Sequence, residues 1–173
     1  MQLLDKFKKI RLVVFDMDGV LTNGKLLLLS NNEWVREMDI KDGFALQLAV
    51  KSGLTIAVLT GSTSDPVKNR LSVLGIDRFY DKVRSKGEKI QELAIDLQLK
   101  KHEILFMGDD IPDLDALPFV GILSCPADAV VDIKDVADYI SPKKGGDGCV
   151  RDVIEKVMRI QGNWSHTQAV QSV

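Results

Sequence analysis

The stretch from Ile10 to Gly19 constrains the fold more than any other part of the sequence. Residues 10–15 are mostly apolar and β-branched or aromatic, which predicts a strand buried on both faces, as in a parallel sheet. Asp16 and Asp18 follow at once, and burying unpaired charge is costly. Because ligands in open α/β sheets bind at the carboxyl ends of strands, these two acids indicate a bound cation.

The same stretch has two plainer interpretations. A strand followed by an acidic turn is one, since Asp and Gly are ordinary turn residues. An EF-hand calcium loop is the other, but the further acidic positions and the closing Glu of that loop are missing at the required spacing. The rest of the chain has to decide between a turn and a cation site.

Length and composition predict one domain, residues 1–162, followed by a polar tail, residues 163–173, that is flexible or bound to a partner. The 173 residues have a net charge of −2, which argues against a nucleic-acid surface. The apolar runs are too short to span a bilayer, and the N-terminus lacks a signal-peptide pattern. Cys125 and Cys149 lack metal-ligand spacing and are predicted to be small core or near-surface residues. These features predict a cytoplasmic protein.

Strand-like and helix-like segments alternate along the chain. This order predicts an α/β fold with a doubly wound, mostly parallel, Rossmann-like sheet. A short β-hairpin, about residues 24–39, is predicted to form a flap. Its apolar residues would be exposed on a lone hairpin, so it is predicted to pack on another subunit, or else to fold back on its own domain. Asp42 is the predicted N-cap of a helix over residues 43–52, and another helix is predicted near residues 127–131.

Three predicted strands end in loops that carry polar or acidic side chains: Asp16 and Asp18, Thr60 and Gly61, and Asp109 and Asp110. Right-handed crossovers bring these loops to one edge of the sheet. The carboxylates offer hard oxygen ligands suited to Mg²⁺, and the threonine offers a donor for phosphate oxygens. The convergence of the loops favours a functional site over an acidic turn.

A lysine near residue 87 adds a positive charge to this set. Lys86 and Lys89 are three residues apart and could share one helix face, but Lys86 lies at the helix start, nearer the strand ends. Carboxylates, a threonine and a lysine together suit phosphoryl transfer, which depends on positioning and charge neutralisation. One aspartate can serve as nucleophile and another as general acid and base.

Four motifs in this order resemble the haloacid dehalogenase superfamily of phosphatases: Asp16-Met17-Asp18-Gly19-Val20, Thr60-Gly61, a lysine, and Gly108-Asp109-Asp110-x-x-Asp113. The resemblance covers about residues 10–160. It implies that Asp16 is the nucleophile and Asp18 the general acid and base. It also implies Mg²⁺ bound by Asp16, by the main-chain carbonyl of Asp18 and by Asp109, with Thr60 and the lysine on the phosphate.

The chain also resembles one branch of that superfamily, the small 3-deoxy-D-manno-octulosonate 8-phosphate phosphatases of lipopolysaccharide biosynthesis. The resembling features are Thr22-x-Gly24, the hairpin, Lys41-Asp42-Gly43, Arg70, and Gly145-Gly146-Asp147-Gly148 with Arg151. The branch lacks a cap domain, and only about 20 residues separate Thr22 from Asp42 here. The resemblance implies a homotetramer in which the hairpin of one subunit helps to close a neighbour's site.

Two departures from the branch bear on the substrate. The branch usually has arginine after Thr-Gly, where this chain has Ser62, and tends to have arginine where Gln47 stands. The expected substrate is therefore 3-deoxy-D-manno-octulosonate 8-phosphate or a related nine-carbon sugar-acid phosphate. Its binding residues would include Asp42, Gly43, Ser62 and Arg70, with Arg151 or a neighbour's tail as a further candidate.

Two alternatives come from other functional classes. A receiver-type signalling domain also combines a parallel sheet with clustered Asp, Thr, Lys and Mg²⁺, but its phosphorylated Asp follows a later strand. An inactive member acting as a binding subunit would be expected to lack Asp16 or Asp18, and both are present. Catalytic release of phosphate distinguishes an enzyme from both alternatives.

Overall fold

A six-stranded parallel sheet forms the centre of the molecule in the computed structural model, which describes residues 2–165. The strand order is β5-β4-β1-β6-β7-β8, and a separate two-stranded antiparallel hairpin pairs β2 with β3. The expected doubly wound fold is confirmed. The predicted tail lies outside the described residues from position 166 onward. The strands are β1 Leu12–Asp16, β2 Leu27–Leu28, β3 Trp34–Val35, β4 Thr55–Leu59, β5 Phe79–Tyr80, β6 Ile104–Met107, β7 Ile122–Cys125 and β8 Tyr139–Ile140.

Helices cover both faces of the sheet, as right-handed βαβ crossovers require. Short 3₁₀ segments, Lys101–Glu103 and Ile111–Phe119, flank β6. Within residues 2–165 no helix combines the length and the apolar character that crossing a bilayer would need. The α-helices are α1 Leu3–Phe7, α2 Ile40–Lys51, α3 Asp65–Val73, α4 Lys86–Asp96, α5 Val131–Lys134 and α6 Cys149–Ile160.

Strand β1 is buried along its whole length because alternate side chains enter two different cores. Val13 and Phe15 pack with residues of α2, α3 and α6, whereas Leu12 and Val14 pack with residues of α4 and the second 3₁₀ segment. The apolar run predicted as a doubly covered strand is therefore confirmed. β1 lies between β4 and β6, in register with both, so the loops after these three strands meet.

The loop after β1 is held by close backbone packing. Gly19 has φ +91°, and a Cβ there would lie 2.0 Å from a carboxylate oxygen of Asp109. The glycine-rich loop near the C-terminus lies on its other side, since a Cβ on Gly145 would lie 1.9 Å from the Gly19 carbonyl oxygen. Gly146 N–H donates to the Val20 carbonyl at 3.0 Å. These glycines shape the loop that carries Asp18.

The predicted hairpin is present, and no cap domain occurs among the described residues. Its apolar side chains point into solvent in the single chain: Leu27, Leu28 and Trp34 are 62%, 65% and 60% exposed. Cys125 and Cys149 are both buried and unpaired, as expected of small core residues.

Two predicted helix starts are wrong. Helix α2 begins at Ile40 because Asp39, not Asp42, is the N-cap, and its carboxylate accepts from Lys41 N–H at 2.6 Å. Helix α5 begins at Val131 rather than near residue 127, because Asp128 instead accepts from Gly145 N–H at 2.9 Å. In both places an Asp able to cap a helix makes a different hydrogen bond.

Asp42 ties α2 to the start of α6. Its carboxylate oxygen Oδ1 accepts from Arg151 N–H at 2.7 Å, which satisfies one of the donors left free at the N-terminus of α6. Its other oxygen, Oδ2, is buried and has no hydrogen-bond partner within residues 2–165. Burial raises the pKa of Asp42 from 3.8 to about 7, although the bond from Arg151 N–H acts to lower it.

We predict that Asp42 makes the protein less stable as pH rises. Its pKa is higher in the folded than in the unfolded chain, so its favourable contribution is complete below about pH 4 and is lost as pH rises through about 7. Asp42→Asn keeps an oxygen for Arg151 N–H but cannot ionise. From pH 5 to 7 the free energy of unfolding should fall by about 1–3 kcal/mol more in wild type than in the variant. Urea unfolding with saturating Mg²⁺ measures this, and parallel curves would contradict it.

Candidate active site

Asp16 lies at the end of the central strand β1, where its carboxylate is buried. Lys86 Nζ donates to Asp16 Oδ1 at 2.7 Å and also contacts Asp113 Oδ1. Lys86 is the first residue of α4, whose N-cap Ser85 accepts from Glu88 N–H at 3.1 Å. A lysine at a helix N-terminus is unfavourable with respect to the helix dipole, so the carboxylates are what hold it there.

Asp16, Asp109 and Asp113 form a compact group of carboxylates, with one oxygen from each lying within 4.8 Å of the others. Asp113 was not among the predicted metal ligands. It is fixed by accepting from the backbone N–H groups of Asp109 at 2.8 Å and Asp110 at 3.2 Å. Hard oxygen donors at this spacing fit Mg²⁺.

Negative charge exceeds positive charge in this group of side chains. Burial raises the pKa of Asp16 to about 6 and that of Asp109 to about 8, and neighbouring carboxylates add to both shifts. For Lys86, burial acts to lower the pKa, but Asp16 and Asp113 outweigh it and raise the value. Lys86 thus faces three carboxylates, and a divalent cation would relieve the repulsion among them.

A pocket of about 390 Å³ opens over these groups, a size suited to a small ligand. Thr60 at the end of β4 is buried, and its Oγ1 accepts from Ser62 N–H at 3.1 Å. The pocket brings together the predicted loops and adds Arg84, which sequence reasoning did not select. Its lining includes Asp16, Asp18, Thr60, Gly61, Ser62, Arg84, Lys86, Asp109 and Asp113.

The two candidate lysines have different environments. Lys86 reaches the carboxylate group, whereas Lys89 points away and pairs with Glu92. Lys89 also lies 5.0 Å above the ring of Tyr80. The geometry therefore favours Lys86 for contact with a phosphate, and helix spacing alone could not separate the two.

Three predicted substrate-binding residues, Asp42, Gly43 and Arg70, lie outside this pocket. Asp42 is buried at the joint between α2 and α6, where it accepts from Arg151 N–H. Gly43 faces Arg70, since a Cβ on Gly43 would lie 3.2 Å from Arg70 Nη2. Within the described chain, Asp42, Gly43 and Arg70 make contacts between helices. They are not part of the pocket lining.

Arg36 is a site residue that sequence reasoning missed. It follows β3 of the hairpin, and its side chain is only 5% exposed. Its Nε donates to Asp18 Oδ1 at 2.7 Å and its Nη2 to Asp18 Oδ2 at 3.1 Å. Nη2 also donates to Ser62 Oγ at 3.0 Å. Arginine thus reaches position 62 from the hairpin, although the residue after Thr-Gly is serine.

Known proteins resemble this chain in sequence and in fold. The profile of the haloacid dehalogenase-like hydrolases matches residues 75–153. The 3-deoxy-D-manno-octulosonate 8-phosphate phosphatase of Escherichia coli K12 is 31% identical over 157 residues, which cover 91% of this chain and 84% of the relative. The chain belongs to this family of haloacid dehalogenase-like phosphatases.

Solved structures of family members superpose on this phosphatase along most of its length. The enzyme of Moraxella catarrhalis, solved with a magnesium ion, a phosphate ion and a KDO molecule, gives a TM-score of 0.90 at 31% identity, covering 93% of this chain and 92% of that one. The Yersinia pestis enzyme gives 0.90 at 27% identity, covering 93% and 87%. Family membership removes the receiver-type alternative.

We predict that Mg²⁺ stabilises the fold through the carboxylate group. The unfolding temperature should rise with Mg²⁺ concentration, because a ligand of the folded state alone shifts the equilibrium by mass action. Asp109→Asn should abolish most of that rise while leaving the metal-free protein at least as stable, since it removes one of the crowded charges. Differential scanning fluorimetry measures both effects. Asp132→Asn, an exposed position on α5, is the matched control, and a full Mg²⁺ response in Asp109→Asn would contradict the assignment.

Proposed function

We propose that this phosphatase hydrolyses 3-deoxy-D-manno-octulosonate 8-phosphate to the free sugar acid and phosphate, with Mg²⁺ as cofactor. One observation carries the proposal: the three carboxylates and Lys86 converge at the end of β1, beside Thr60 and Asp18. That arrangement suits attack on a phosphoryl group, and the solved relative from Moraxella catarrhalis contains magnesium, phosphate and KDO.

In the proposed site, Asp16, Asp109 and the Asp18 main-chain carbonyl hold Mg²⁺, which supplies positive charge for the phosphoryl oxygens. Thr60 and the backbone at Gly61 donate hydrogen bonds to the same phosphoryl group. Lys86 adds the remaining positive charge and keeps Asp16 oriented through its 2.7 Å contact. Asp113 fixes Lys86 and the backbone of the loop after β6.

The proposed first step is transfer of the phosphoryl group to Asp16. A carboxylate oxygen of Asp16 attacks phosphorus, the bond from phosphorus to the sugar oxygen breaks, and Asp18 gives its proton to the departing alkoxide. In the second step, Asp18 takes a proton from water, the water oxygen attacks phosphorus, and Asp16 is released as carboxylate with free phosphate.

We predict that Asp16→Asn lowers the rate of phosphate release by several orders of magnitude. The amide keeps the size of the side chain but lacks the nucleophilic charge, and groups that act as a unit fail together. A phosphate-release assay should compare the eight-carbon substrate with a nine-carbon sugar-acid phosphate. The nine-carbon compound is the second candidate substrate because Ser62 and Gln47 depart from the pattern of the branch. Asp132→Asn should match wild type. Near-normal turnover in Asp16→Asn, or wild-type turnover undiminished in excess chelator, would refute the mechanism.

We also propose that the apolar side of the hairpin is covered by another copy of the chain in a homotetramer with active sites at its interfaces. Leu27, Leu28 and Trp34 expose more apolar surface than an isolated flap would be expected to leave wet. Arg36 directly follows β3 and contacts Asp18 in the site of its own chain. In this proposal the apolar side chains of the hairpin lie in a subunit interface, and Arg36 at its end contributes to an active site.

We predict that Leu28→Ser with Trp34→Ser lowers the oligomeric state, because both exposed side chains would lose an apolar partner surface. Sedimentation velocity at assay concentration measures this. Ile95→Ser is the matched control, since Ile95 is also an exposed apolar residue but lies on α4. A wild-type protein that sediments as a monomer and is fully active would contradict the shared interface.

We propose in addition that residues 1–162 act as one catalytic domain and that the protein works in the cytoplasm. The unpaired thiols of Cys125 and Cys149 fit a reducing compartment. The two cores that share β1 argue against division of the domain.

A further inference from the structure

Arg36 is a buried cation on an otherwise exposed hairpin. Its side chain is 5% exposed, whereas Trp34 and Val35 beside it are largely open to solvent. Burial of a guanidinium is unfavourable unless anionic or hydrogen-bonding partners compensate for lost water. The partners of Arg36 therefore indicate which kind of ligand this position is built to hold.

The partners are a carboxylate and a hydroxyl. The guanidinium contacts both oxygens of Asp18, in the bidentate geometry that arginine forms with carboxylates. Its Nη2 also donates to Ser62 Oγ at 3.0 Å. The end of the hairpin thus already binds one carboxylate at the mouth of the pocket.

This pairing cannot persist through the reaction proposed above. Asp18 has to carry a proton and give it to the departing sugar oxygen. Arg36 contacts both carboxylate oxygens of Asp18, at 2.7 and 3.1 Å, so it holds both of the atoms that would have to reach that sugar oxygen. Arg36 must therefore move from Asp18 when substrate binds, and a different anion has to compensate its buried charge.

A sugar-acid phosphate carries two anionic groups. Its phosphoryl group would lie on Asp16, Thr60 and Lys86, with the sugar oxygen toward Asp18. The sugar then extends past Asp18 and Ser62, where Arg36 lies. The second anion, the carboxylate, is thus the group available to Arg36.

We propose that Arg36 is the specificity-determining residue of this site: it exchanges the Asp18 carboxylate for the carboxylate of the substrate. The inference rests on the proposed function. Binding of a sugar acid would release Asp18 for proton transfer, whereas an uncharged sugar phosphate would leave Arg36 on Asp18. Substrate choice and the availability of the general acid would then depend on the same side chain.

Steady-state kinetics with three substrates test this inference. The first is the sugar-acid phosphate, the second is the same compound with its carboxylate converted to the primary amide, and the third is p-nitrophenyl phosphate. Arg36→Ala should lower kcat/KM for the acid by about 10–100-fold, the equivalent of one or two charged hydrogen bonds. The amide and the aryl ester should keep their rates or gain, because Asp18 is free. Arg36→Lys should retain part of the preference for the acid.

Two arginine variants serve as comparisons. Arg78→Ala should change nothing, since Arg78 is exposed and does not line the pocket. Arg84→Ala tests an arginine that lines the pocket. If Arg84→Ala removes the preference for the acid and Arg36→Ala keeps it, the inference is wrong. Unfolding temperatures with Mg²⁺ confirm that each variant is folded.

Equal losses on all three substrates in folded Arg36→Ala would also overturn the inference, because Arg36 would then only position Asp18 or the hairpin. Failure of the proposed function looks different. In that case the wild type hydrolyses p-nitrophenyl phosphate but shows no preference for the sugar acid over its amide.

Discussion

The arrangement of this site depends on the repulsion among three carboxylates that the sheet holds together at one edge. Strands β1 and β6 are neighbours in register, so the loops after them place Asp16, Asp109 and Asp113 within 4.8 Å of one another. Within residues 2–165, Lys86 is the one ammonium that contacts this group, and it begins a helix, where a positive charge is disfavoured. The remaining negative charge gives the site its affinity for a cation and, through that cation, for a phosphoryl group.

Backbone packing keeps this group in place when no ligand is bound. Gly19 and Gly145 leave no room for a side chain between the acidic loop and the glycine-rich loop before α6. Asp42 joins the start of α6 to α2. This packing positions the carboxylates before substrate arrives.

Patterns within one segment were sufficient to predict β1, the alternation of strands and helices, the hairpin and the loops that meet at the pocket. The apolar run before Asp16 is sufficient to predict β1, because only a strand covered on both faces buries all of its side chains. Asp42 illustrates what local patterns miss: it has an N-cap residue type, but its partner lies 109 positions away on α6. Arg36 is a similar case, since neither the hairpin pattern nor charge identifies contacts to Asp18 and Ser62.

The proposed function depends most on Asp16 as the nucleophile of a phosphoryl transfer. Rapid acid quench during turnover of the sugar-acid phosphate, followed by peptide mass spectrometry, tests it directly. Wild type should carry one phosphoryl group on Asp16 during turnover, and Asp16→Asn should carry none at that position. Turnover with no phosphorylated Asp16, or phosphorylation of a different aspartate, would contradict this role of Asp16.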